Sequence, residues 1–88
     1  MKLGLALESA GRGLDIPIEL IQRCQEVGCH SVWTAEAYGS DAITPLASIA
    51  AHTRRIRLGT GVIQLAARTP TMAAMQLGNV DALAGGGV

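Results

Sequence analysis

Two acids and one amide follow short apolar stretches of the chain, and their side chains are of types that could do chemistry. They are Glu8, Glu36 and Gln64. Glu36 is the strongest candidate because alanine flanks it on both sides. A carboxylate in that setting could hydrogen-bond a ligand or act as a general base. The alternative for each of the three is a polar side chain that only contacts water at the start of a loop.

Several familiar site motifs are missing from the sequence. His30 and His52 do not have the spacing of metal ligands, so we expect no metal site. The runs Gly11-Arg12-Gly13 and Gly59-Thr60-Gly61 lack the third glycine of a dinucleotide-binding fingerprint, and neither opens a helix directly. We therefore predict loop or bulge glycines in both places.

The composition excludes further classes of protein. The 88 residues carry seven Lys+Arg and seven Asp+Glu, a neutral balance that argues against nucleic-acid binding and against a polybasic membrane surface. The apolar runs are far shorter than the roughly 20 residues of a membrane span, and the N-terminus lacks the long apolar region of a signal peptide. Cys24 and Cys29 do not form a Cys-x-x-Cys pair, so we expect two free thiols and a cytoplasmic location.

Alternating strand and helix patterns must position the polar side chains. Apolar or β-branched residues predict strands over 2–7, 31–35 and 56–63. Two helices are predicted to begin at Thr44-Pro45 and Thr69-Pro70, each an N-cap residue followed by proline at the first helical position.

The apolar faces of the helices follow from three- and four-residue spacing. A helix that starts near Pro17 and stops at Gly28 has the predicted apolar face Leu20, Ile21, Cys24 and Val27. The last helix ends at three glycines and has the predicted stripe Ala73, Leu77, Val80 and Ala84. We expect Met72 and Met75 to fill the core beside that stripe.

The order β-α-β-α-β-α predicts an α/β fold with a parallel sheet and right-handed crossovers. Three helices cover only one face of a three-stranded sheet, whereas parallel sheets need both faces covered. Residues 1–88 therefore fit three βα units of an incomplete (β/α)8 barrel, since a whole barrel takes roughly 250 residues. A small doubly wound sheet is the competing architecture. In either case Glu8, Glu36 and Gln64 converge at the carboxyl ends of the strands, where ligands bind.

Two longer patterns are similar to those of a known family. The first is VWTAEAYGSDA over residues 32–42, followed by Thr44-Pro45-Leu46. The second is RIRLGTGV over residues 55–62, then ARTP over 67–70 and DxLxGG over 81–86. Together they resemble the luciferase-like monooxygenases, and among them the F420-dependent oxidoreductase class. The resemblance covers nearly the whole chain and the N-terminal third of a family member.

The resemblance implies a TIM-barrel enzyme that uses coenzyme F420 or FMN for hydride transfer or monooxygenation of a small-molecule substrate. It implies the cofactor-binding set Leu7, Glu36, Thr60, Gly61, Val62 and Gln64. It also places a non-prolyl cis peptide bond at Gly61–Val62, where the alternative is an ordinary strand or bulge glycine.

The resemblance further puts Glu36 near the reactive face of the cofactor, as the catalytic residue. Many family members follow this acid with histidine, whereas Ala37 stands here, so a proton-donor role does not carry over to that position. Gly87 is a second departure, because relatives often have arginine there.

Three functions stay open on these grounds. The first is the N-terminal part of an F420- or FMN-dependent oxidoreductase, inactive alone. The second is a self-associating βα module without catalysis, a homo-oligomer that pairs exposed strand edges. The third is a truncated chain that folds poorly.

Overall fold

A computed structural model of the chain describes residues 2–7, 16–36 and 40–88. These residues form three strands, β1 (Gly4–Ala6), β2 (Ser31–Thr34) and β3 (Arg57–Thr60). The helices between and after them are α1 (Ile18–Glu26), α2 (Ile43–His52) and α3 (Pro70–Ala84), and one 3₁₀ turn lies at Leu65–Ala67. The predicted βαβαβα order is confirmed.

The strands form one parallel sheet in the order β1-β2-β3. Ala6, Trp33 and Gly59 lie side by side near its carboxyl edge. β3 ends at Thr60, three residues earlier than predicted, because Gly61 makes the last ladder contact and the chain then bends.

All three helices contribute to one core on one face of the sheet. Val32 and Leu58 project from the strands into this core, whose largest helical members are Ile21, Leu46, Ile49 and Val80. α2 lies in the middle and contacts both α1 and α3. Small and aliphatic side chains thus fill the core without a buried aromatic ring among the described residues. The opposite face carries the exposed residues Gly4, Ala6 and Trp33, as expected for an uncovered face.

The third helix begins as predicted, and the second does not. The Thr69 side chain accepts a hydrogen bond from the backbone N–H of Met72 at 3.1 Å, and Pro70 is the first helical residue. α2 instead starts at Ile43, one residue before the predicted N-cap. The Asp41 carboxylate accepts from the Thr44 N–H at 2.8 Å and takes the capping role that the sequence assigned to Thr44.

Two predictions about buried helix faces are wrong. Val27 is 82% exposed and Leu20 is also exposed, because α1 meets the core chiefly through the fully buried Ile21. Met72 and Met75 are exposed as well. They lie on a different side of α3 from Ala73, Leu77, Val80 and Ala84, the predicted stripe that does face the core.

The expectation of free thiols is wrong too. Cys24 and Cys29 form a disulfide, with Cα atoms 5.2 Å apart. The chain turns back at Gly28, which has a φ of 93°, and the Cys29 N–H donates to the Cys24 carbonyl at 2.9 Å. This turn brings the two residues together without a Cys-x-x-Cys spacing. The free thiols predicted from the sequence therefore no longer support a cytoplasmic location.

None of the helices in the described ranges combines the length and the apolarity that crossing a membrane requires.

Candidate functional site

The carboxyl ends of the three strands meet at one edge of the sheet. Leu7 follows β1 and donates its backbone N–H to the Trp33 carbonyl at 2.9 Å. Gly61 follows β3 and donates to the Thr34 carbonyl at 2.6 Å. The segments after β2 and β3 are therefore neighbours at this edge. Glu8, which the sequence placed there as well, lies outside the described residues.

The Glu36 carboxylate is the centre of the hydrogen-bonding network at this edge. Its Oε1 accepts from the backbone N–H of Gln64 at 2.7 Å and from Arg68 Nη1 at 2.9 Å. Its Oε2 accepts from the backbone N–H of Ala42 at 3.1 Å and from Arg68 Nη2. Arg68 thus binds both oxygens in the forked geometry that suits a guanidinium, and two loops are tied to one side chain.

The Glu36–Arg68 pair is shielded from solvent. The Glu36 side chain is 5% exposed and that of Arg68 is 10% exposed. The pKa of the Glu36 carboxyl is lowered from 4.5 to about 2. The hydrogen bonds from Arg68 are the largest cause, burial opposes them, and the N–H groups of Gln64 and Ala42 add to the lowering. The same pairing raises the pKa of Arg68. Both groups are therefore charged at neutral pH, and the carboxylate accepts four hydrogen bonds.

The network orders residues 61–68, which we name the 61–68 turn. The Glu36 backbone N–H donates to the Val62 carbonyl at 3.0 Å, and Arg68 Nη1 also donates to the Gln64 carbonyl at 3.2 Å. The peptide bond between Gly61 and Val62 is cis, as the family resemblance implies. Gly61 is exposed and Val62 is 69% exposed. These two residues form an apolar surface, which we name the Gly61–Val62 ledge. The Gly61 N–H and the Val62 carbonyl are hydrogen-bonded to Thr34 and Glu36.

The structure brings some of the predicted site residues together and leaves others apart. Glu36, Gly61, Val62 and Gln64 are joined through the hydrogen bonds of the network. Leu7 and Thr60 lie at the same edge of the sheet, but both are half-buried, and Leu7 packs against the core. No group of His, Cys, Asp and Glu that could hold a metal occurs in ranges 2–7, 16–36 and 40–88.

Arg68 is a site residue that the sequence patterns did not predict. In the sequence it stands only as part of the family-like segment ARTP over residues 67–70. Two signals pointed to it: a lone cation just after the third strand, and a buried-strand carboxylate about one βα unit earlier in the chain. A carboxylate between apolar residues at a strand end needs a cationic partner if it is to stay ionised out of water.

Comparisons with known proteins identify the family of the chain. A family model described as luciferase-like monooxygenase matches residues 3–88. A protein of Mycobacterium tuberculosis named as a coenzyme F420-dependent oxidoreductase is 51% identical over 98% of this chain and 25% of its own length. The 4-hydroxyprotoasukamycin monooxygenase of Streptomyces nodosus is 35% identical over 90% of this chain and 23% of its own length.

Solved structures show the same fold. Monooxygenase RslO1 of Streptomyces bottropensis superimposes with a TM-score of 0.83 at 31% identity, over 99% of this chain and 31% of that one. The coenzyme F420-dependent tetrahydromethanopterin reductase of Methanopyrus kandleri also gives 0.83, at 24% identity, over 98% of this chain and 25% of that one. The chain spans about a quarter of the length of the curated relatives it matches. It belongs to the luciferase-like monooxygenase family and has the α/β architecture of three βα units from that family's barrel.

Proposed function

We propose that this chain supplies one wall of an F420 or FMN site in an oxidoreductase that acts on a small-molecule substrate. The observation that carries the proposal is the Glu36 network, which holds the 61–68 turn so that the Gly61–Val62 ledge is exposed at the strand ends. Ligands of parallel α/β proteins bind at this end of the sheet. The names of the relatives, an F420-dependent oxidoreductase and a monooxygenase, support the same class of reaction.

The residues present fit a planar, conjugated cofactor ring. Gly61 has no side chain, and an added Cβ atom would have one neighbour within 4 Å, Trp33 Cε3 at 3.6 Å. Its backbone N–H is already bonded to Thr34, and the Val62 carbonyl is bonded to Glu36. A flat apolar ring could therefore cover the Gly61–Val62 ledge without burying these two polar groups unpaired.

The bound cofactor would supply the hydride- or oxygen-transfer chemistry. The task of this chain's residues is to orient it. Arg68 keeps Glu36 ionised, and Glu36 uses its four acceptor contacts to fix the loop at Ala42 and the turn at Gln64. A carboxylate with a pKa of about 2 is a weak base at neutral pH, so we assign Glu36 a role in shaping the site and not in moving a proton.

Titration with FMN and with F420 tests the proposal on the 88-residue chain. Trp33, the single tryptophan, packs beside the ledge, so we expect bound cofactor to quench its fluorescence. Val62→Asp should weaken binding by about 10-fold or more, because the ring would cover a carboxylate. The matched control is Val27→Asp, on another exposed valine at the end of α1, which should leave affinity within about twofold. Absence of quenching by either cofactor at high concentration would count against the proposal.

One observation favours self-association as a second candidate. Met72, Met75 and Leu83 form an exposed apolar stripe on α3, about 110° around the helix from the side that faces the core. A helix that is apolar on two sides is usually covered on both. Leu83→Glu should reduce the mass seen by light scattering after gel filtration, and the matched control Leu20→Glu on α1 should not. A monomeric wild-type chain would exclude this candidate.

A further inference from the structure

Trp33 lies across the open face of the sheet and spans all three strands. A Cβ atom added to Gly59 of β3 would lie 2.6 Å from Cζ3 and 2.7 Å from Cε3 of the indole. A Cβ atom added to Gly4 of β1 would lie 3.1 Å from Nε1. The six-membered ring thus covers Gly59, and the nitrogen end of the indole covers Gly4. A side chain at Gly59 would displace the indole, whereas a Cβ atom at Gly4 would first meet Ser31 Oγ at 2.8 Å.

A hydrogen bond fixes the direction of the indole. Its Nε1–H donates to Ser31 Oγ, two residues earlier on the same strand, at 2.8 Å. Ser31 is buried. The indole therefore cannot turn over without breaking this bond, and its six-membered ring stays directed toward β3.

The ring reaches the residues that end β3. A Cβ atom added to Gly61 would lie 3.6 Å from Trp33 Cε3, an ordinary packing distance. The Gly61 N–H is bonded to the Thr34 carbonyl, and Thr34 directly follows Trp33. Residues 59–61 are consequently held by the ladder on one side and supported by the indole on the open face. Residue 62, the other half of the ledge, follows immediately.

We propose that Trp33 is a positioning residue for the Gly61–Val62 ledge, and this inference rests on the proposed cofactor wall. The network of Glu36 and Arg68 holds the ledge from the far side of the turn, while the indole supports it beneath residues 59–61. Trp33 is 45% exposed and lies on the face opposite the core, where the indole packs against Gly59 and Gly61 of the β3 segment. The alternative is an aromatic side chain that fills space on this face and affects stability alone.

Amide hydrogen exchange on the unliganded chain separates the two. In Trp33→Leu the apolar character remains but the flat ring over Gly59 is lost. We expect the amides of Gly61 and Glu36, whose hydrogen bonds hold the ledge, to exchange about 10-fold faster, with the amides of α2 changed by less than about twofold. Equal acceleration at all amides, or no change at Gly61 and Glu36, would overturn the proposal.

Two further variants keep the test decisive if Trp33→Leu does not fold. Trp33→Phe keeps an aromatic ring and loses the bond to Ser31, and Gly59→Ala keeps the indole and pushes it away from β3. Both should show the same local acceleration, and its absence in a folded variant refutes the role.

FMN binding separates this inference from the proposed function. If wild type binds FMN, Trp33→Leu should weaken the affinity about 10-fold, and equal affinities would refute the positioning role. Equilibrium dialysis measures both affinities, because the variant lacks the single tryptophan. If wild type binds neither FMN nor F420, the proposed function fails, while the exchange data still decide whether Trp33 positions the ledge.

Discussion

Arg68, which lies 32 residues after Glu36 in the chain, donates hydrogen bonds to both oxygens of the Glu36 carboxylate. Glu36 lies two residues after β2 and Arg68 two residues before α3, and between them the 61–68 turn is held in place. The sequence indicates that Glu36 could act as a base, whereas in the structure its carboxylate accepts hydrogen bonds from four donors. This relationship decides which chemistry the strand ends can provide.

Removing the guanidinium should loosen the 61–68 turn. In Arg68→Met the Gln64 and Ala42 amides keep their acceptor, but Glu36 loses the partner that fixes both its oxygens. We expect the Gln64 amide to exchange about 10-fold faster. Arg68→Lys should recover only part of this protection, because an ammonium cannot bind two oxygens as a planar fork does.

Arg54→Met is the matched control for that prediction. Arg54 is exposed at the opposite end of β3, so the same change of side chain there should leave the Gln64 amide unaffected. If Arg68→Met leaves Gln64 protected to the wild-type level, the pair does not hold the turn.

The cap of α3 should contribute measurably to stability. Thr69 accepts the Met72 N–H, one of the helix-end donors that would otherwise lack a partner. Thr69→Ala should lower the free energy of unfolding by about 1 kcal/mol. Thr71→Ala, at an exposed position in the same first turn, should change it by less than about 0.5 kcal/mol. Equal effects of the two substitutions in urea unfolding would contradict the capping assignment.

The disulfide should be detectable by chemistry and by stability. Alkylation of the denatured, unreduced chain should label neither Cys24 nor Cys29. Because the bond closes a short loop, reduction should lower the free energy of unfolding by about 2 kcal/mol. The double variant Cys24→Ser, Cys29→Ser should unfold at the same denaturant concentration with and without reductant. Labelling of two thiols in the untreated chain would show that the bond is absent.

Local patterns predicted some of the local features, although the Thr44-Pro45 pattern did not identify the start of α2. Thr69-Pro70 identified the start of α3 because a cap and its helix lie within four residues of each other. The stripe that includes Ala73 and Val80 identified the buried side of that helix. Met72 and Met75 were misassigned because α3 is apolar on two sides, and spacing alone cannot tell which side meets the core.

Non-local features escaped for a different reason. The contact between Trp33 and Gly59 requires the pairing of β2 with β3, which places these two residues opposite one another. The Glu36–Arg68 pair requires the early end of β3 and the compact turn that follows it. Residue spacing predicts neither the register nor the length of the strands. The partners of Glu36 can therefore be identified only from the folded structure.

Acid should release the 61–68 turn in a defined pH range. The pKa of Glu36 is lowered from 4.5 to about 2 by its hydrogen bonds with Arg68, Gln64 and Ala42, so the ionised form is favoured in the folded chain. A lowered folded-state pKa stabilises the fold above the unfolded-state pKa, and the contribution is lost as pH falls through the folded-state value. We therefore expect the Gln64 amide to lose protection between about pH 4.5 and pH 2.

The Glu36 carboxyl carbon signal should titrate with a midpoint near the lower end of that range. In Arg68→Met the midpoint should move upward, because the largest cause of the lowered pKa is removed. Glu36→Gln should remove this step from the pH profile of the Gln64 amide, and an unchanged profile in that variant would show that another group controls the turn.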